Sequence, residues 1–261
     1  MNCHSKKQPT FLNCVDFLNQ YQYLGYLGSG GFGDIFLATY KGIKYAVKVI
    51  NVSDNEDEIL NEIEILCRVK GLENYVQYVN HIKCGKIPDF PLVKKDYSLG
   101  KDFYYIIMEF CDTYLKKYLE NRILTKNEFL SLVFQMVYGW NKGFEKLGLV
   151  HGDFHLQNML LKFVDEERLY GEYLITGPIL KISDFGTSQT GWKTDPLPDF
   201  LALNDNLEEL FSHLKDPDEI LEQFLQGLAI LQDENSFQEF LSSDLFLPLK
   251  IPIEQNILGI N

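Results

Sequence analysis

What most limits the fold of this chain is a change of hydrophobic period partway along it. Residues 21–50 are short runs rich in Tyr, Ile, Val and Leu, broken by a glycine cluster and by Lys41-Gly42, which predicts three strands joined by tight turns. Ser53-Asp54-Asn55-Glu56 then has the form of a capping box, and Ile59, Leu60, Ile63 and Leu66 follow at helical spacing as far as Gly71. Residues 75–87 and 103–110 return to strand character around a polar loop carrying Pro88 and Pro91. Beyond Phe110 the pattern is helical: a short helix over 114–121, a second capping box at Thr125-Lys126-Asn127-Glu128, and a long apolar run over 129–147. Strand-like runs recur at 159–164 and 173–182 around the charged turn 165–168, and helices are expected over 204–240. Strands holding one helix, followed by a helical body, predict an α+β chain of two lobes, with residues 1–110 forming the first and 111–261 the second.

The 261 residues carry 37 acidic and 24 basic side chains, a formal charge of -13, which disfavours nucleic acid and anionic membranes as partners and favours cationic peptides. With 46% hydrophobic and 14% aromatic residues the chain can bury a core. The five cysteines are widely spaced, with no Cys-x-x-Cys pair, so neither a zinc site nor a disulfide framework is expected. No signal peptide or membrane span is apparent, and a reducing intracellular setting, cytoplasmic or nuclear, is the expectation.

Gly28-Ser29-Gly30-Gly31-Phe32-Gly33 lets the backbone come close to phosphate oxygens. A dinucleotide-binding turn would be followed by a helix, yet Asp34-Ile35-Phe36-Leu37-Ala38-Thr39 is strand-like. Next comes Tyr45-Ala46-Val47-Lys48-Val49-Ile50, which sets one lysine among apolar neighbours. A buried ammonium needs a partner, and Glu62, on the helical face of Ile59 and Leu66, is the candidate; otherwise Lys48 snorkels from a sheet edge. His151-Gly152-Asp153-Phe154-His155-Leu156-Gln157-Asn158 and then Asp184-Phe185-Gly186 complete the series.

In that order these five elements resemble the signature set of the protein kinase superfamily. The resemblance implies a small antiparallel-sheet lobe with one helix, a mainly helical and reduced second lobe, and Mg2+-dependent transfer from ATP to Ser or Thr hydroxyls. It gives Lys48, held by Glu62, the α- and β-phosphates, Asp184 the bridging Mg2+ and Asn158 the second metal. Asp153 receives the proton of the attacking hydroxyl. Gly28, Gly30 and Gly33 cover the phosphates. Ile35, Ala46 and Leu160 enclose adenine, Glu109-Phe110-Cys111 reads its edge behind Met108, and Asp112 reaches the ribose. His151 is expected to pack against backbone. His155 stands where many protein kinases carry a lysine, either to meet the γ-phosphate or to brace Asp153.

Several features depart from the family pattern. Gly152 replaces the arginine that pairs with a phosphorylated activation segment, so activity without such phosphorylation is expected. Asn158 and Asp184 lie 26 positions apart, which implies a lengthened hairpin over 165–179, and no Ala-Pro-Glu follows Gly186. His155, the lengthened hairpin and the missing Ala-Pro-Glu together are similar to the haspin-like branch. The expected partner is a protein substrate, basic around its hydroxyl, met by a monomer. The alternatives are a catalytically inactive nucleotide-binding scaffold and a small-molecule phosphotransferase.

Overall fold

The computed structural model describes residues 14, 20–30, 33–52, 56–85, 102–191, 195–231 and 236–251. The first capping box, the tip of the glycine loop at Gly31 and Phe32, and the loop with Pro88 and Pro91 lie outside them. Two compact units emerge: one comprises residues 1–71, 76–111 and 184–188, the other 72–75, 112–183 and 189–261. The stretch 184–188 thus belongs to the first unit although its neighbours on both sides belong to the second.

The first unit is built on a five-stranded antiparallel sheet of β1 (Gln22–Gly30), β2 (Gly33–Tyr40), β3 (Ile43–Asn51), β4 (Tyr78–Cys84) and β5 (Phe103–Glu109), ordered β1-β2-β3-β5-β4. Its two faces follow from the two-residue period of a strand. One carries the buried cluster of Phe36, Ala38, Val47, Val49, Phe103, Tyr105 and Ile107 with Tyr21 and Cys84. On the other, register sets Ile35 opposite Lys48, Ala46 opposite Met108, and Lys48 opposite Ile106. Helix α1 (Glu56–Arg68) buries Ile59, Glu62, Ile63, Ile65 and Leu66. Glu56 in its first turn accepts from Lys83 Nζ at 2.8 Å and Tyr104 Oη at 2.9 Å, which ties the start of the helix to β4 and β5.

One expectation is corrected here. Cys14 and Cys84 form a disulfide, their Cα atoms 5.6 Å apart across 70 positions of sequence, and Cys67 is also disulfide-bonded. Pairing of this kind is set by tertiary approach rather than by spacing, so the cysteine pattern could not reveal it, and the argument from cysteines for a reducing setting loses its support.

In the second unit, β6 (Thr113–Tyr114) leads into the short α2 (Leu115–Leu119), and α3 (Lys126–Leu147) forms the axis. The Thr125 side chain accepts from Glu128 N–H while Glu128 accepts from Thr125 N–H, a complete capping box, and Gly148 ends the helix in the left-handed conformation at φ 58°. After β7 (Leu149–Val150) come β8 (Met159–Lys162), a hairpin of β9 (Arg168–Tyr170) and β10 (Tyr173–Ile175), and β11 (Ile179–Ile182), which pairs back onto β8. The run over 173–182 is therefore two strands, and the lengthened connection is the β9-β10 hairpin. The strand β12 (Gln189–Thr190) pairs with β7, and helices α4 (Leu197–Phe211), α5 (Leu221–Ile230) and α6 (Phe237–Leu241) follow. Among the described residues no helix is long and apolar enough to cross a membrane.

The glycines within α3 are packing positions. A Cβ at Gly143 would overlap the Tyr75 hydroxyl and come within 3.1 Å of Leu149 Cδ2. Gly143→Ala should destabilise the protein by about 1–3 kcal/mol, because overpacking outweighs the better helix propensity of alanine. Thermal denaturation reads this as a midpoint several degrees lower; an unchanged midpoint would mean that Tyr75 can move aside at no cost.

Candidate active site

Lys48 is 2% exposed in mid-strand and is held by two carboxylates. Its Nζ lies 2.8 and 2.9 Å from the two oxygens of Glu62 and 2.8 Å from Asp184 Oδ1. Burial pulls the ammonium toward its neutral form, but Glu62 and Asp184 together outweigh this and hold its pKa above the ordinary lysine value. Burial likewise pushes the Glu62 carboxyl above the usual range, with Asp184 adding to the rise and Lys48 opposing it. The snorkelling alternative is excluded, since the amine points into a buried ion pair rather than toward water.

Asp184 has φ 63°, a left-handed backbone that costs a residue with a side chain roughly 1–2 kcal/mol. That conformation needs support from its neighbours, and the Lys48 ion pair is one source. The segment carries a second contact at its end, where Asn61 Nδ2 donates to Ser188 O at 2.9 Å.

Elsewhere in this unit, Gly33 is required by packing, because a Cβ there would collide with Val49 O, whereas a Cβ at Gly28 would meet nothing within 4 Å. Gly30 pairs with Gly33 across the β1-β2 turn. Ile35 and Ala46 lie on the Lys48 face of the sheet. The Glu109 side chain accepts from Gln77 N–H at 2.9 Å, and its own N–H donates to Gln77 O at 2.9 Å, which fixes the end of β5 just before Cys111.

The second unit gathers Asp153, His155 and Asn158. Asn158 Nδ2 donates to Asp153 O at 2.9 Å and to Asp153 Oδ2 at 3.1 Å. His155 Nδ1 accepts from Gln157 N–H at 3.2 Å, and its Nε2 lies 3.3 Å from Asp153 Oδ2 and 3.3 Å from Asn158 Nδ2. His155 thus stands beside the Asp153 carboxylate. Asp153 Oδ1 has no hydrogen bond among the described residues, and the side chain is half exposed, at 50%. In His151, Nδ1 accepts from Asp153 N–H at 3.3 Å and Nε2 meets Ser183 O at 2.9 Å, a packed neutral histidine 2% exposed. Leu160, half-buried on β8, pairs with Tyr114. Asp112 Oδ2 accepts from Phe163 N–H at 2.8 Å.

The residue that the sequence reading missed is Asp199. It is 1% exposed, receives the N–H of His151 and, at 2.7 Å, the N–H of Gly152, and accepts from Trp140 Nε1 at 3.3 Å. Asn206, about two helical turns further on, donates to Phe154 O at 2.9 Å. Both stand on the buried stripe of α4 with Leu203, Leu207 and Leu210. Polar residues at apolar-stripe positions were the available signal.

A sheet unit with a lysine held by a helix carboxylate, and a helical unit whose loop presents an aspartate bonded by an asparagine, are features of the protein kinase class. Residues 21–202 match the protein kinase domain family, and the chain belongs to it. It is similar to calcium-dependent protein kinase 4 of Plasmodium falciparum, 25% identical over 185 residues, covering 67% of this chain and 30% of that one. The interferon-induced, double-stranded RNA-activated protein kinase of Rattus norvegicus is 29% identical over 182 residues, covering 65% and 32%. Human cyclin-dependent kinase 9 is 26% identical over 194 residues, covering 70% and 46%. The chain thus spans about a third to a half of the length of these relatives.

Proposed function

We propose that the protein transfers the γ-phosphate of ATP to Ser or Thr hydroxyls of a protein substrate with Mg2+ as cofactor. The observation that carries this reading is the buried Lys48 clasped by Glu62 and Asp184: a cation prepositioned on a rigid sheet suits phosphate better than any structural need. Lys48 would hold the α- and β-phosphates, with Glu62 keeping it from swinging away. In the transfer the bond from the substrate oxygen to the γ-phosphorus forms as the bond to the β-phosphate oxygen breaks; ADP leaves and the hydroxyl proton passes to Asp153. His155 and Asn158 keep the Asp153 carboxylate oriented for that proton.

The donor chemistry fits Mg2+. Asp184 uses one oxygen on Lys48 and its side chain is 27% exposed, while Asn158 spends its amide nitrogen on Asp153 and retains its carbonyl oxygen. Two hard oxygen ligands, with phosphates and water completing the set, are what this ion favours. When bound it would neutralise phosphate charge.

Ser/Thr specificity rests on the resemblance of the sequence motifs, and a basic target on the charge of -13. The haspin-like placement rests on His155, the inserted hairpin and the missing Ala-Pro-Glu. Offering labelled ATP with a basic protein, an acidic protein and a panel of small alcohols tests the reading. Phosphate should appear on Ser or Thr of the basic protein, and less of it as salt rises. Label on a small alcohol would point to the small-molecule alternative, and no transfer at all to a scaffold.

A further inference from the structure

The stretch after Asp184 is held at both ends by side chains of the sheet unit. At its start Lys48 Nζ meets Asp184 Oδ1 at 2.8 Å. At its end Asn61 Nδ2 donates to the main-chain oxygen of Ser188 at 2.9 Å. Between them Ser188 N–H closes a turn onto Phe185 O at 3.1 Å, with Phe185 and Ser188 0% and 2% exposed. Asn61 directly precedes Glu62 on α1, and consecutive residues leave a helix roughly 100° apart, so one rigid helix offers one side chain to Lys48 and the next to Ser188. A turn or slide of α1 breaks both contacts together.

We propose that Asn61 is a positioning residue: its amide clamps the segment 184–188 to α1 and so keeps Asp184 on Lys48 without a phosphate on that segment. The proposal rests on the kinase reading above and adds to it how the site is kept assembled. Where a segment is switched by phosphorylation, new phosphate-arginine hydrogen bonds order it. Gly152 supplies no such arginine, and a neutral hydrogen bond from Asn61 takes over the ordering. Because the acceptor is a carbonyl, only a donor at position 61 works. Aspartate has the same shape but sets an oxygen against an oxygen, whereas a histidine ring can still present an N–H. The bond goes to the backbone, so the Ser188 hydroxyl is dispensable for it.

Hydrogen exchange and steady-state kinetics on the full chain test this with Asn61→Asp, Asn61→His and Ser188→Ala. Asn61→Asp should speed exchange of the amides at 185–188 about tenfold and lower kcat by a similar factor, with protection along α1 unchanged. Asn61→His and Ser188→Ala should stay near wild type in both. Unchanged exchange at 185–188 in Asn61→Asp would overturn the clamp. Loosening spread along α1 would overturn it as well, as the mark of a merely structural residue. Faster exchange with kcat intact would remove the positioning role. Absence of transfer by the wild-type protein would instead sink the kinase reading, and the exchange data would still decide whether the clamp exists.

Discussion

Replacing Lys48 with methionine will lower phosphoryl transfer at least about a hundredfold, near 2.7 kcal/mol of transition-state stabilisation. The same change will also cost stability. Lys48 and Glu62 are each 2% exposed, and breaking a buried pair by removing one member costs about 3–5 kcal/mol because the survivor keeps its charge without compensation. Two further variants separate these effects. Lys48→Met with Glu62→Gln should regain most of the stability and none of the activity, and Asp184→Asn, which keeps an oxygen facing Lys48, should be inactive yet close to wild type in denaturant midpoint. Transfer above a tenth of wild type in the stabilised double variant would remove Lys48 from the phosphate site.

The pH dependence of the Lys48→Met variant carries its own sign. Burial already raises the Glu62 carboxyl, and losing the ammonium removes the influence that opposed it. A carboxyl whose pKa is raised on folding favours the folded state only while protonated, so the variant should be most stable below the ordinary carboxylate range and weaken as pH rises through it. In the wild type Lys48 opposes the rise of the Glu62 carboxyl, so the same loss with pH should be smaller, and the contribution of the raised Lys48 pKa goes only above the ordinary lysine range. Parallel stability profiles for the two proteins across that interval would show that Glu62 is not stranded.

Much of this arrangement was legible in the sequence because its causes are local or lie in short motifs. The Thr125–Glu128 capping box, the strand alternation around Lys48 and the ordered signature from Gly28 to Gly186 each constrain a few neighbouring residues. What stayed hidden depends on approach between distant residues. Nothing near Cys14 indicates Cys84, and nothing near Asn61 indicates the carbonyl of Ser188, 127 positions away. His155 was readable as far as two roles, and its place 3.3 Å from Asp153 Oδ2 depends on how the loop folds around Gln157 and Asn158. Asp199 lies ahead of the helices expected over 204–240, in a helix that begins at Leu197, and its partners His151 and Gly152 are nearly 50 positions away.

Asp199 is the second position where a large effect is expected. Its carboxylate satisfies the N–H groups of His151 and Gly152 at a site 1% exposed. Gly152 sits at φ 77°, so the loop leading into Asp153 follows an unusual path that the carboxylate holds from below. Asp199→Ala leaves the buried His151 N–H and Trp140 indole N–H without an acceptor, and at about 1–3 kcal/mol for each unsatisfied group the protein should lose about 2–6 kcal/mol of stability. Asp199→Asn is the more informative change, since it preserves volume and one acceptor while turning an amide N–H toward a backbone N–H. It should cost less stability, about 1–3 kcal/mol, yet still reduce kcat at least about tenfold, because Asp153 is displaced with the loop. The KM for ATP should hardly move, as Lys48, Glu62 and Asp184 belong to the other unit. A KM that rises with kcat intact would mean that Asp199 serves nucleotide binding instead. Wild-type kinetics in Asp199→Asn would mean that His151 and Asn206 hold the catalytic loop without it.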